Sequence, residues 1–331
     1  MKYLITGHAG FIGFSLIKKL IKNKNNHIVG LDNFNTYYDI KLKKSRVELL
    51  KKETKYRNFK SIKCDLRNRK NLKKIFTKNK FDIVINLAAQ AGIRYSLKIP
   101  DEYISSNING FFNLIEMVRK YKIKKLVYAS SSSVYGNLNK HAFNEEDRTN
   151  KPLQIYAVSK ITNEALAHAY SHLYDIQTIG LRFFTVYGPW GRPDMAIFKF
   201  TNNILNNKEI SLFNLGKNYR DFTYIDDVVK CVEKICLAKN KKNNNFQVFN
   251  IGNSQPVQTI KLVNILEKLL NKKAKKKYFK KNKEDSIKTS ANTNLIERKY
   301  KIKINTKLED GLKQFLNWYK FFFNLKIQTK L

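Results

Sequence analysis

Tyr156 and Lys160, in the stretch Tyr156-Ala157-Val158-Ser159-Lys160, are the residues of this chain whose types and spacing best suit chemistry. Residues four apart share one face of a helix. The segment Ile155–Tyr174 repeats Ala, Leu and Tyr at three- and four-residue steps, a helical period. The spacing sets the Lys160 ammonium beside the Tyr156 phenol. A free phenol has a pKa of about 10, and an adjacent cation lowers it. The pair predicts a general base usable near neutral pH. A surface Tyr and Lys on an ordinary amphipathic helix have the same spacing, so the pair draws its meaning from what precedes it. Upstream stand a hydroxyl cluster, Ser130-Ser131-Ser132-Ser133, and a glycine-rich turn, Gly7-His8-Ala9-Gly10-Phe11-Ile12-Gly13. Together the three describe a nicotinamide enzyme acting on an alcohol carbon.

The turn lies between a strand, Lys2–Thr6, and a helix beginning at Phe11, the context such a fingerprint requires. Gly7 permits the tight turn, Gly10 lets backbone approach a pyrophosphate, and Gly13 lets helix pack on strand. The pyrophosphate sits on the helix N-terminal amides, where the dipole favours anions. Asp32 ends the next strand. A carboxylate there accepts hydrogen bonds from a ribose 2′-hydroxyl and repels a 2′-phosphate, so NAD is expected rather than NADP. Asp65, after the strand Phe59–Cys64, has two readings: a contact to the adenine edge, or an N-cap for the helix that follows.

These residues need a scaffold. Candidate strands are Lys2–Thr6, Ile28–Leu31, Phe59–Cys64, Ile83–Asn86, Leu126–Ala129 and Thr178–Phe183. Candidate helices between them are Phe11–Ile21, Ile40–Lys52, Arg69–Thr77, Asp101–Tyr121 and Ile155–Tyr174. That alternation predicts an α/β fold, a doubly wound parallel sheet of Rossmann type. Ligands bind at the carboxyl ends of such strands, and every motif above falls on that rim. The cofactor set is then Gly7, Gly10, Phe11, Ile12, Gly13, Asp32, Asn33, Asp65, Leu66, Leu87, Ala88, Ala89, Tyr156 and Lys160. After Gly188-Pro189 the pattern loosens into helices (Met195–Asn206, Ile225–Leu237, Thr259–Leu270, Leu308–Phe323) and short strands. We expect residues 1–186 to form the NAD-binding domain, rejoined by parts of 221–251, and 187–331 a smaller, discontinuous substrate-binding lobe of mixed α/β structure. The C-terminal aromatics Trp318, Tyr319, Phe321, Phe322 and Phe323 read as helix packing.

The formal net charge of +38 on 331 residues suggests nucleic acid or an anionic surface. Lysine, however, is spread along the whole chain together with Asn and Ile, as in a protein encoded by an A- and T-rich genome. The densest basic stretch, Asn271–Lys283, reads as a loop with a short strand around Tyr278 and Phe279. No helix-turn-helix, zinc-ligand or aromatic-basic RNA motif accompanies the charge, so no nucleic-acid partner is expected. No apolar run approaches a membrane span, and the N-terminus enters a strand without a signal-peptide layout. Cys64, Cys231 and Cys236 lack metal spacing and read as reduced thiols. A cytoplasmic protein without a metal is expected.

The motifs together resemble the extended short-chain dehydrogenase/reductase family, and within it the nucleotide-sugar epimerases and dehydratases, from residue 1 to about 320. Three segments, Asp32–Asp39, Ala88–Ser96 and Leu181–Ala196, look like UDP-glucuronate 4-epimerases. The resemblance implies NAD as cofactor, a UDP-sugar as substrate and a homodimer paired through helices Asp101–Tyr121 and Ile155–Tyr174. It assigns Tyr156 as base, Lys160 as its orienting partner, and Ser131, with Ser132 close behind, as the catalytic hydroxyl. Arg220 would bind the diphosphate; Thr185 and Arg192 would face the sugar carboxylate, for which a guanidinium is a bidentate match. Arg94 and Asp285 complete the substrate set. The family's Gln-Pro-Gly-Asp-like segment is here Asn282-Lys283-Glu284-Asp285-Ser286: Asp285 is kept, and Asn282 replaces a longer side chain. The implied reaction inverts C4 of UDP-glucuronate, giving UDP-galacturonate through a 4-keto sugar. A 4,6-dehydratase would carry an Asp-Glu pair where Ser132 and Ser133 stand. A decarboxylase, an epimerase of UDP-glucose, and an idle NAD-binding relative remain alternatives.

Overall fold

The computed structural model describes residues 1–54, 57–138, 140–238, 245–283 and 285–325. The first half alternates strand and helix: β1 (Lys2–Thr6), α1 (Phe11–Leu20), β2 (His27–Asp32), α2 (Ile40–Thr54), β3 (Phe59–Lys63), α3 (Arg69–Thr77) and β4 (Ile83–Asn86). There follow α4 (Pro100–Tyr103), α5 (Gly110–Lys120), β5 (Lys125–Ser131), α6 (Ile155–Tyr174) and β6 (Gln177–Phe183). Then come β7 (Thr185–Tyr187), α7 (Ala196–Leu205), β8 (Glu209–Phe213), β9 (Tyr219–Tyr224), α8 (Ile225–Leu237), β10 (Phe246–Ile251), β11 (Pro256–Gln258), α9 (Thr259–Leu270), β12 (Lys275–Phe279), α10 (Asn294–Tyr300) and α11 (Leu308–Phe322).

Seven strands form one parallel sheet in the order β10-β6-β5-β4-β1-β2-β3. Side chains of a strand alternate between faces. Tyr3 and Ile5 of β1 accordingly enter one core, with Phe14, Ile17 and Val228, while Leu4 enters the other, with Val84, Leu126 and Phe111. Helices cover both faces, which is why the central strands β1 and β4 are buried almost throughout. The order reverses between β1 and β4, and the crevice of such a sheet opens at that reversal.

The smaller strands β11, β9 and β7 form a three-stranded sheet, and β8 pairs with β12. Beside the six strands placed from the sequence the sheet holds β10, which pairs in parallel with β6 from Phe246↔Thr178 to Ile251↔Phe183. The expected single helix Asp101–Tyr121 is interrupted: Ile104–Asn109 forms a π-helical turn between α4 and α5. A π turn holds one extra residue, and the apolar period of the sequence continues through it. Of the C-terminal aromatics, Trp318 and Tyr319 are buried, but Phe321 points outward and is 83% exposed. No helix among the described residues is long and apolar enough to cross a membrane. Cys64, Cys231 and Cys236 are buried free thiols.

Candidate active site

Gly7 adopts φ +72°, and its amide donates to the Leu31 carbonyl at 2.7 Å. A Cβ there would lie 2.8 Å from the backbone nitrogen of Ala88; a Cβ on Gly13 would lie 2.2 Å from the Gly7 carbonyl oxygen. The turn is therefore pressed between the end of β4 and the start of α1, and side chains at these positions would fill the cradle. Gly10 caps α1 without a side-chain hydrogen bond, leaving first-turn amides for an anion. This fits a dinucleotide pyrophosphate.

Asp32 is buried; its carboxylate accepts from the Ala9 amide at 3.2 Å and the Phe34 amide at 2.8 Å. Asn33 Nδ2 donates to Asp65 Oδ2 at 3.0 Å. Burial alone would raise the Asp65 pKa, but hydrogen bonds from Arg67 and Asn33 outweigh it and hold the group at about 2. Asp65 is not a helix cap: the N-cap of α3 is Asn68, whose side chain accepts from the Asn71 amide at 3.0 Å.

At the other end of the cleft, the Ser131 hydroxyl faces the Tyr156 phenol and favours its ionised form. Ser131 Oγ lies 3.1 Å from Ser133 Oγ and accepts from the Ser133 amide at 3.2 Å. Ser130 is engaged elsewhere, donating to Glu164 Oε1 at 2.5 Å, where Glu164 also pairs with buried Arg182. Asn107, carried inward by the π turn, clamps both chain segments. It accepts from the Gln90 amide at 2.7 Å, and its Nδ2 donates to the Gln90 carbonyl at 3.0 Å and Ser159 Oγ at 3.1 Å.

One electrostatic expectation is corrected. The Tyr156 pKa is raised, not lowered: burial outweighs the pull of the nearby Ser131 hydroxyl and the Arg192 charge. Lys160 does not bond the phenol. Its Nζ donates to the Ala129 carbonyl at 2.9 Å and lies 5.8 Å from the Tyr156 ring centroid. Burial brings Lys160 down to about 8, against the opposing charge of Glu164.

Arg192 directs its Nε to Asp194 Oδ1 at 2.9 Å and its Nη2 to Asp194 Oδ2. Tyr37 donates to the same carboxylate at 3.1 Å. Asp194 thus takes the side edge of the guanidinium, and Arg192 Nη1 makes no hydrogen bond among the described residues. Farther out, Arg94 pairs with Asp285 at 2.6 Å and stacks over Phe213, 3.8 Å from its centroid. Arg220 donates to the Tyr219 carbonyl at 2.8 Å; burial lowers its pKa, while Asp285 opposes that. Asn282 does not line the cleft, its carbonyl accepting from the Asp285 amide at 3.3 Å. Glu284 lies outside the described residues.

One cleft of about 780 Å³ joins these parts. Every candidate site residue from the sequence lines it, including Phe11, Ile12, Leu66, Leu87, Ala88, Ala89, Ser132 and Thr185. Sequence reasoning missed Tyr37, Lys43 and Phe213 on the lining, and Asn107 behind it. No spacing rule signals Tyr37, whose partner Asp194 is 157 positions away.

Residues 3–252 match the model of the NAD-dependent epimerase/dehydratase family. The chain belongs to that family. It is 45% identical to UDP-glucuronate 4-epimerase 2 of Arabidopsis thaliana over 96% of this chain and 75% of that one. It is 44% identical to the protein CapI of Staphylococcus aureus, over 96% of this chain and 98% of CapI. The crystal structure of UDP-glucuronic acid 4-epimerase from Bacillus cereus, in complex with UDP-glucuronic acid and NAD, superposes with a TM-score of 0.90 at 33% identity. It covers 97% of this chain and 100% of its own.

Proposed function

We propose that this protein interconverts UDP-glucuronate and UDP-galacturonate by epimerisation at C4, with NAD retained in the cleft. The observation that carries this reading is the Arg192 guanidinium, held on one edge by Asp194 and near enough to the Tyr156 phenol for its charge to act there. A uronic acid places its carboxylate on the carbon next to C4, so its reader and the base for the 4-hydroxyl belong side by side. Asp194 occupies one bidentate edge of Arg192 and orients it; the Nη1–Nη2 edge is left for the substrate.

The glycine turn, Asp32, Asn33, Asp65, Leu66, Leu87, Ala88 and Ala89 would hold NAD, with Tyr156 and Lys160 at its reactive end. NAD when bound supplies a hydride acceptor and donor at C4, together with a positive ring charge. Tyr156 takes the proton from the 4-hydroxyl, and Ser131 holds the same oxygen, with Ser132 behind it. Lys160, poised near a pKa of about 8, holds charge close to the phenol. Thr185 lines the sugar end, while Arg220, Arg94 and Asp285 anchor the diphosphate and nucleotide. With Ser132 and Ser133 after Ser131 there is no carboxylate pair for dehydration. We assign 1–186, with parts of 221–251, to cofactor binding, and the rest to the substrate. We further propose a cytoplasmic homodimer paired through α5 and α6, where Phe112, Leu173 and Tyr174 are exposed.

The test is incubation with UDP-glucuronate without added cofactor, followed by anion-exchange separation and NMR. UDP-galacturonate is the expected product. UDP-xylose would replace this reading with decarboxylation, and no conversion even with added NAD⁺ would remove uronate specificity.

A further inference from the structure

Arg46 of α2 is fully buried, and among the described residues no carboxylate lies within ion-pair distance of it. Its Nη1 donates to the Ala9 carbonyl at 2.8 Å and the Tyr38 hydroxyl at 2.7 Å. Its Nη2 donates to the Trp190 carbonyl at 2.6 Å and the Gly191 carbonyl at 3.3 Å. Its Nε is buried without a partner. A buried guanidinium without a counter-ion is costly, so its position calls for a reason.

Resting on the reading above, we propose that Arg46 is a positioning residue that ties the glycine turn to the Arg192 loop, so that cofactor and uronate are held as one unit. Ala9 lies inside the turn. Its amide is held by Asp32, its carbonyl by Arg46, and the next amide, Gly10, by the Gly7 carbonyl at 2.9 Å. The peptide that leads into the anion-facing first turn of α1 is thereby held at both its carbonyl and its amide. On the other end, Trp190 precedes Arg192 by two residues and sits at φ +64°, a left-handed conformation that a tryptophan adopts only under constraint. Arg46 supplies one constraint. Ring contacts supply the other: Trp190 packs on Phe14 of α1 at 5.2 Å and on Trp318 and Phe322 of α11 at 5.4 and 5.1 Å. One guanidinium thus joins the glycine turn to a loop that lies 144 positions beyond Arg46 itself. Its charge is opposed only from a distance by Asp32, across Ala9, and a diphosphate bound at the turn would add counter-charge.

The test compares wild type, Arg46→Met and Arg46→Lys, each purified with its bound cofactor. Three quantities are read: the rate at which bound NAD exchanges with labelled NAD⁺, the affinities for UDP-glucuronate and UDP, and tryptophan emission. The chain's two tryptophans, Trp190 and Trp318, both lie in this cluster. Arg46→Met should exchange NAD at least about tenfold faster and bind UDP-glucuronate about tenfold more weakly, the factor expected for lost charged hydrogen bonds. UDP affinity should change less than about twofold, because UDP has no carboxylate to reach the Arg192 loop. The emission should shift as Trp190 loosens. Arg46→Lys keeps the charge but cannot reach both carbonyls; it should retain NAD while still losing uronate affinity. Wild-type exchange and uronate affinity in Arg46→Met, with only a lower Tm, would reduce Arg46 to a structural role and overturn the proposal. Loss of NAD retention with uronate affinity intact would overturn the tie. Should Arg46→Met not fold by circular dichroism, Arg46→Lys decides: unaltered uronate affinity there overturns the proposal. If wild type binds UDP-glucuronate no better than UDP, the substrate reading falls by itself. NAD exchange and tryptophan emission then judge Arg46, and unchanged values for both overturn its role.

Discussion

Replacing Arg192 by Met tests the carboxylate reading and the local electrostatics together. Two consequences follow from the geometry. For the fold, Asp194 loses two charged hydrogen bonds and keeps that from Tyr37. Fully buried pairs broken this way cost about 3–5 kcal/mol. Side-chain exposures of 23% for Arg192 and 18% for Asp194 admit some solvent and reduce this to about 1–3 kcal/mol. Urea unfolding of Arg192→Met, Asp194→Asn and the double variant should give a coupling energy of that size. Burial raises the Asp194 pKa, but the Arg192 charge outweighs it and leaves the group below its usual value. A depressed carboxylate contributes stability above its unfolded pKa of about 3.9 and loses it as pH falls through the folded value. The deficit of Arg192→Met should therefore shrink below about pH 4. For catalysis, loss of a charge-assisted contact of about 1.5–3 kcal/mol lowers kcat/KM for UDP-glucuronate by about 10- to 150-fold. Any turnover of UDP-glucose should change less than about threefold. Equal loss on both substrates, or none on UDP-glucuronate, would refute the reasoning.

Tyr156→Phe should keep bound NAD and fold while lowering turnover of UDP-glucuronate at least about a hundredfold, the contribution of a positioned base; product NMR checks it. Gly13→Ala drives a Cβ to 2.2 Å from the Gly7 carbonyl oxygen. It should cost about 1–3 kcal/mol in urea unfolding and empty the protein of retained NAD, read from the absorbance of heat-released cofactor. Lys160 has a folded pKa of about 8 against an ordinary 10.5, so its burial costs up to about 3 kcal/mol while it is charged. Its contribution to stability is complete above the unfolded pKa and is lost as pH falls through about 8. Cofactor-free Lys160→Met should accordingly be more stable than wild type at pH 7, with the gain fading as pH rises toward 10; a gain independent of pH would contradict this.

The sequence by itself determined the parts built from short periods. Alternating apolar runs and helical repeats placed β1 to β6 and their helices to within a few residues. The glycine spacing set the turn, and the four-residue step put Tyr156 and Lys160 on one face of α6. These are local matters: a strand repeats every two residues and a helix every 3.6, and a turn needs its own glycines. The family resemblance added Arg94, Thr185, Arg192, Arg220 and Asp285, which spacing could not have supplied. Only the tertiary structure decided what these groups meet. It seated β10 beside β6, inserted the π turn that carries Asn107 inward, and moved Phe321 to solvent. It gave Arg192 to Asp194 and Tyr37, and joined Ala9 to Trp190 through Arg46. It also reversed the expected direction at Tyr156, because desolvation depends on everything packed around a group. Contacts between residues more than a hundred positions apart, and the burial they create, have no period for a sequence to display.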